Sequence, residues 1–281
     1  MLQLQPVPKV ITFDCYGTLV RWHDAIQSAA HAILAGRLAE SDAQDQSVAL
    51  ADRLRSAAVE RQQRPPYCDY KSVLRSALAV ALAEAGHTAK PEDEEMLLST
   101  LGRIEPHPDV PSALGRLRER YRLAIISNTD DDLIASTVAA IGVPIDFVIT
   151  AEQARAYKPD HQLFLHAYAA LGVTKEETVH VGMGQFTDIK VCNELGIRSV
   201  WINRIGEPPN LDWPPHAKLN DLAGLPDMLS VARTTTEAVC GSAKGRERVR
   251  RRCLMPSIIA RKQTVADPSI PIAGDSQPSC L

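Results

Sequence analysis

The sequence predicts an α/β protein: a parallel sheet wound by helices on both faces and interrupted once by a long helical insertion. Three observations predict it. Five short runs, KVITFD, RLAIISN, FVITAE, VHVGM and SVWIN, are continuously apolar rather than alternating, the pattern of strands covered on both faces. Helical patterns such as DDDLIASTVAAIG and PDHQLFLHAYAALG separate them, each ending in a Gly able to cap a helix. Strand, helix and strand repeated in this way define a doubly wound parallel sheet. The third observation is a break in that alternation. Residues from about 22 to 105 hold no strand-like run and are rich in Ala, Leu, Arg and Glu. AHAILAGRLAE, VALADRLRSAAVERQQR and YKSVLRSALAVALAEAG read there as amphipathic helices.

This division gives a core from residues 1–21 and 106–232 and a helical cap from residues 22–105, with the Pro-rich PHPDVP at 106–111 as return hinge. An insertion after the first strand sits above the carboxyl ends of the strands, where open α/β sheets bind ligands. Residues 233–281 change character. They carry nine Lys/Arg against four Asp/Glu, a local +5 that leaves −8 for the rest of a chain at −3. The run GSAKGRERVRRRC and the polar, Pro- and Ser-rich end predict a disordered tail.

Composition narrows the function classes. A length of 281 residues suits one large domain or a core with one insertion, and 45% hydrophobic residues supply a buried interior. A net charge of −3 favours neither nucleic acid nor an anionic membrane as partner. There is no membrane-length apolar stretch, and MLQLQPVPKVITFD lacks the succession of a secretory signal. Six cysteines are scattered without a CxxC pair, which predicts reduced thiols and neither a zinc site nor a redox motif. The expectation is a cytoplasmic protein acting on a small molecule. A homodimer is left open.

The residues that carry chemistry stand at the ends of the predicted strands. Phe13-Asp14-Cys15-Tyr16-Gly17-Thr18-Leu19 follows the first apolar run. The strand would deliver Asp14 to the carboxyl edge of the sheet, Gly17 would permit a tight turn, and Thr18 could bond the carboxylate or the substrate. Alone, Asp-x-x-Gly-Thr also fits a helix-cap turn, and Cys15 reads as a small space-filling residue. Ser127-Asn128-Thr129 follows the second run, Lys158-Pro159 the third, and Asp188 the fourth. Ser127, Asn128 and Asp188 also read as helix caps and Lys158 as a loop residue, readings compatible with facing a site.

In this order and spacing the motifs resemble the haloacid dehalogenase superfamily, in detail its 2-haloacid dehalogenase branch, over residues from about 8 to 230. The resemblance implies Asp14 as a carboxylate nucleophile with Thr18 beside it. It implies Ser127 and Asn128 at the substrate carboxylate, Lys158 as the neutralising cation, and Asp188 as the acid that positions the lysine and the hydrolytic water. Tyr16 matches a position lining the pocket. Phosphatases of the superfamily carry a second Asp two residues after the nucleophile, where this chain has Tyr16. They hold Mg²⁺ with a Gly-Asp pair in the fourth motif, where it has Gly182-Met183. A halide leaves without a proton, so this pattern implies displacement at carbon with no cofactor, Mg²⁺ entering only under a phosphatase alternative. The chain departs from the dehalogenases at Met183, Gln185 and Phe164, where they carry Ser, Asn and Tyr. They also catch the halide with a lid arginine. Arg53, Arg55 and Arg61 are candidates, with Arg55 taken as the substrate-binding one. The expected activity is hydrolysis of a short 2-haloalkanoate to a 2-hydroxy acid. The alternatives are a phosphatase acting on a small phosphate ester, a hydrolase of another activated C–X bond, and a non-catalytic binding protein on the same scaffold.

Overall fold

The strand β1 (Val10–Phe13) is buried at every residue and has neighbours on both sides, which is why its sequence is apolar without alternation. A computed structural model of the chain describes residues 5–230; the predicted tail from residue 233 lies outside the described residues. The other strands are β2 (Arg122–Ser127), β3 (Phe147–Thr150), β4 (Thr178–Gly182), β5 (Ser199–Ile202) and β6 (Ala217–Leu219). They form one six-stranded sheet in the order β3-β2-β1-β4-β5-β6, with every pairing parallel. Phe13 is in register with Ile125 of β2 and Val181 of β4. The loops after β1, β2 and β4 therefore leave the sheet at nearly one level, and whatever polar groups they carry must meet.

Five strands coincide with the predicted apolar runs. The sixth, β6, was not predicted. It is three residues long, lies at the sheet edge and carries a Lys, so it has neither the length nor the apolar content that marks a buried strand.

Ten α-helices accompany the strands among the described residues: α1 (Trp22–Ala35), α2 (Glu40–Gln62), α3 (Tyr70–Glu84) and α4 (Pro91–Leu101) in the insertion, then α5 (Val110–Arg118), α6 (Asp131–Ile141) and the single turn α7 (Ala151–Ala154), followed by α8 (His161–Leu171), α9 (Lys190–Leu195) and α10 (Leu225–Ser230). The two predicted crossover helices are α6 and α8. Each stops at a glycine in the left-handed conformation, Gly142 (φ 70°) and Gly172 (φ 62°).

The insertion differs from the three predicted helices at two places: α4 was not among them, and one predicted stretch is broken. AHAILAGRLAE is not one helix: α1 ends at Ala35 and α2 begins at Glu40. The break follows from Gly36, a poor helix residue, and is held by Arg37, which donates to the Ile33 carbonyl (2.8 Å) and pairs with the buried Asp93 of α4. The chain enters and leaves the insertion side by side. Val20 bridges Pro106, Arg21 N donates to Glu105 O (2.9 Å), and His107 N donates to Leu19 O (3.0 Å). The return segment is braced as well, since Arg204 grips the Asp109 carboxylate through two bonds of 3.0 and 2.8 Å.

The four insertion helices, here called the lid, are tied to the core by Asp130. This residue is buried, and its two carboxylate oxygens accept the first backbone N–H groups of α3, from Tyr70 (2.7 Å) and Lys71 (3.0 Å). Lys71 adds an ion pair to Asp132 (2.6 Å), and the Tyr157 hydroxyl donates to the Cys68 carbonyl (2.8 Å). Replacing Asp130 by Ala leaves two helix-start N–H groups without their charged acceptor. Unfolding in urea should then require about 1.5–3 kcal/mol less free energy at an unchanged m value; an unchanged midpoint would contradict this tethering role.

Candidate active site

Four of the five residues assigned to chemistry from the sequence meet around one ammonium group. Asp14 continues β1 past its last ladder residue and donates its backbone N–H to Val181 O (2.9 Å), which fixes it between β1 and β4. Its Oδ2 accepts from Thr18 Oγ1 (2.7 Å) and its Oδ1 from Lys158 Nζ (2.8 Å). The turn that brings Thr18 back passes through Gly17 at φ 90°, where a side chain would be strained and would also press on the Met183 sulfur at 3.1 Å. Thr18 in turn accepts from Met183 N (2.8 Å), so its hydroxyl proton is committed to Asp14.

Lys158 is wholly buried. Its ammonium donates to Asp14 Oδ1, to Asp188 Oδ1 (2.6 Å) and to the Ile126 carbonyl (3.0 Å), which uses all three of its protons. Asn128 clamps the backbone of the same residue, accepting from Lys158 N (2.7 Å) and donating to Lys158 O (3.0 Å). Asp188 lies in a π-helical turn, Gln185–Ile189, that aims its carboxylate back at the sheet. There Oδ1 also meets His180 Nε2 (3.1 Å), while Oδ2 accepts from Thr187 Oγ1 (3.0 Å) and Gly184 N (3.2 Å). The fit leaves no room for side chains: a Cβ on Gly182 would stand 2.8 Å from Asp188 Cβ, and one on Gly184 2.0 Å from Thr187 Oγ1.

The electrostatics divide the two carboxylates. Burial alone would raise Asp188, but the Lys158 charge and the His180 contact outweigh it and hold the group well below the usual carboxylate range. Burial also raises Asp14, and there it prevails over Lys158, with the Asp188 charge adding to the rise. For Lys158 burial favours the neutral amine, yet the two carboxylates more than compensate and keep it protonated. One cation thus serves two anions, and Asp14 is the one less firmly held as an anion.

His180 was not singled out in the sequence, although a titratable residue in the middle of the apolar run VHVGM was its signal. It is buried on β4, with Nδ1 2.9 Å from Thr12 Oγ1 and its ring edge-on to Phe164 at 4.9 Å. A proton on Nε2 faces Asp188, and Thr12 can then donate to Nδ1, an arrangement in which no two acceptors oppose each other.

Asp14 and Lys158 open onto a cavity of about 600 Å³. Asp14, Ser127, Asn128, Lys158 and Met183 come from the core, Trp22, His23, Val59, Gln62 and Tyr70 from the lid, and Phe186, Pro208 and Trp213 complete an apolar side. Ser127 Oγ is buried and has no hydrogen-bond partner among the described residues. Asn128 lines the cavity and also reaches the lid, donating to Gln62 Oε1 (2.8 Å). Tyr16 lines it as well, with its ring stacked on Tyr70 (6.4 Å between centroids); burial pushes its phenol up to about 12, so it stays neutral. Cys15, beside the carboxylate, is buried and held as a thiol by that burial.

Arg55 requires a correction. It is bonded to Asp52 one turn earlier on α2 and is not among the residues lining the cavity. Arg53 is taken by Glu84 and Glu60, and Arg61 donates to the Arg64 carbonyl. No arginine lines this cavity among the described residues. The inward face of α2 is made by Ala43, Ser47, Leu50, Ala51, Leu54, Ala57 and Ala58, and Arg55 stands beside that face rather than on it.

The donor set does not fit Mg²⁺. All four oxygens of Asp14 and Asp188 already accept hydrogen bonds, two of them from the same ammonium, and the next side chain in the fourth motif is a thioether. A hard cation needs free carboxylate oxygens and gains nothing from sulfur.

A family model described as haloacid dehalogenase-like hydrolase matches residues 8–196, and the chain belongs to that family. The (S)-2-haloacid dehalogenase 4A of Burkholderia cepacia is 27% identical over 234 residues, 82% of this chain and 97% of that protein. A phosphoserine phosphatase of Thermus thermophilus is 29% identical over 147 residues, 50% of this chain and 59% of that protein. Among solved structures, a dehalogenase with an intermediate complex superposes at a TM-score of 0.69 with 25% identity, covering 79% of this chain and 96% of that one.

If reaction requires the Asp14 carboxylate, activity is lost as pH falls through its pKa. Because that pKa is raised, the acid limb of kcat/KM should lie above the ordinary aspartate value of about 3.9. Lys158→Met removes the compensating charge and should move the limb further upward, together with a loss of stability of about 3–5 kcal/mol. A pH–rate profile flat down to pH 4 would contradict the division of charge described above.

Proposed function

We propose that the protein is a hydrolytic dehalogenase that converts a short 2-haloalkanoate to the 2-hydroxy acid through an ester on Asp14. The observation that carries this reading is the Lys158 ammonium lodged between Asp14 and Asp188 at 2.8 and 2.6 Å. It occupies the space between the two carboxylates and leaves Asp14 as a metal-free carboxylate facing a largely apolar cavity. The named dehalogenase relative, aligned over nearly its whole length, supports the same reading.

The chemistry follows from the positions. The unpartnered Ser127 hydroxyl, with Asn128 beside it, suits the substrate carboxylate. Asp14 attacks C2 from behind, the C2–halogen bond breaks with its electron pair on the halide, and an ester forms with inversion at C2. No proton is needed in this step, so the absence of an acid at Tyr16 is no handicap. Water then attacks the carboxyl carbon of the Asp14 ester. The C2 oxygen departs with one proton from the water, Asp14 is restored as a carboxylate, and the second proton is released to solvent. Lys158 stabilises the charge that develops on Asp14 in this step, while Asp188 and His180 hold Lys158 in place. Thr18 fixes the Asp14 rotamer. The steps need no cofactor.

A panel of 2-haloacids and small phosphate esters, each assayed with and without EDTA, tests the reading. Turnover of a 2-haloacid should be undiminished by EDTA, and Asp14→Asn should reduce it to background, because an amide is a far weaker nucleophile. Mg²⁺-dependent release of phosphate with no turnover of any 2-haloacid would replace the reading with a phosphatase.

A further inference from the structure

We propose that the end of the cavity beyond β4 holds the C2 substituent of the substrate, an alkyl chain of butyl rather than methyl length, on an apolar wall made by Phe186, Pro208 and Trp213. The proposal rests on the dehalogenase reading above and deepens it by naming which of the short acids the site favours.

The strand order measures the cavity. Ser127 ends β2, Asp14 follows β1, Phe186 follows β4, and Pro208 and Trp213 lie between β5 and β6. All of them line the one cavity. Neighbouring strands stand about 4.8 Å apart. A substrate whose carboxylate meets Ser127 and whose C2 stands at Asp14 therefore leaves the cavity running on for about 10 Å on its other side, past β4 to β5. A methyl group at C2 reaches little of that length. The whole cavity, about 600 Å³, falls within the range of about 300–1,000 Å³ that pockets show for ligands much larger than a three-carbon acid.

The chemistry of that end is apolar. Phe186 is 39% exposed and tilts against Trp213, with 6.2 Å between ring centroids. Val59, 38% exposed, lines the same cavity from the lid. Exposed apolar side chains gathered at a concave surface mark a place where a ligand removes them from water. The polar groups beside them bond to one another. Gln185 Nε2 donates to Glu207 Oε2 (3.2 Å) and to the Pro208 carbonyl (3.0 Å), and Gln185 Oε1 accepts from Asn210 N (2.6 Å). Asn203 holds both backbone groups of Glu207, accepting from its N–H (2.8 Å) and donating to its carbonyl (2.9 Å). The wall is thus braced, and the rings are what it presents. The Glu207 carboxylate lines the cavity there too. It repels the carboxylate of the substrate, which favours the orientation with the acid group at Ser127 and the chain toward Phe186 and Trp213.

The test is a chain-length series. From 2-chloropropionate through 2-chlorobutyrate and 2-chloropentanoate to 2-chlorohexanoate, kcat/KM should rise about 3- to 4-fold per methylene, mostly through KM. Trp213→Ala should flatten the rise, lowering kcat/KM for 2-chlorohexanoate about 10-fold more than for 2-chloropropionate. Phe186→Ala should act in the same direction, which covers the case of a Trp213 variant that does not fold. A merely structural role would lower all four acids alike. A series that is flat or falls with chain length in the wild type, or losses equal along the series in both variants, overturns the proposal and leaves the dehalogenase reading standing. If the wild-type protein turns over no 2-haloacid, that reading fails, and calorimetric binding of hexanoate against propionate decides the subsite. Tighter binding of hexanoate, weakened in Trp213→Ala, retains it. Equal binding, no binding, or no effect of the variant removes it.

Discussion

The ammonium of Lys158 is the interaction on which the rest of the site depends. Two carboxylates, Asp14 and Asp188, are buried against the end of the sheet, and neither would remain ionised there without a cation. A bare buried charge is penalised by several kcal/mol, and removing one member of such a pair leaves that penalty uncompensated. Lys158 answers both anions, but unequally. Asp188 has further donors in Thr187, Gly184 and His180, whereas Asp14 has, among the described residues, only Thr18 besides the lysine. The asymmetry leaves Asp188 a fixed counter-charge and Asp14 the more reactive partner.

Much of the local backbone exists to hold that ammonium. Asn128 binds both backbone groups of Lys158, and it belongs to the β2 loop while the lysine follows α7. Gly182 and Gly184 let the turn after β4 close on Asp188, since a methyl group at either position would overlap Asp188 or Thr187. Phe164 packs edge-on against His180. Here an apolar ring supports the histidine that supports Asp188.

The sheet, and Asp14 and Ser127 at the ends of its strands, were legible because a short apolar run ending in a polar residue is a local signal, whereas Lys158 after α7 and Asp188 in its π-helical turn were legible through the order and spacing of the motifs. β6 was not legible, being a three-residue edge strand with too little apolar content. The lid was legible as helices but not as a surface. Which side of α2 turns inward is set by packing against α1 and α3, so Arg55 pointed to Asp52 rather than into the cavity. Trp22, Tyr70 and Gln62 belong to no motif in the sequence, and only the assembled cavity gathers them with Asp14. Asp130 escaped notice for a related reason, since its carboxylate caps a helix 60 residues earlier in the chain.

The central claim is that Asp14, held by Lys158, is itself the group that bonds to carbon. Hydrolysis of a 2-haloacid in ¹⁸O-water, with enzyme in excess so that each molecule acts once, tests it most directly. The account predicts that the new hydroxyl of the 2-hydroxy acid carries ordinary oxygen from Asp14 and that the label enters the Asp14 carboxylate. Label in the product hydroxyl during that first turnover would contradict it, because water would then have attacked C2 and Asp14 could have acted only as a base.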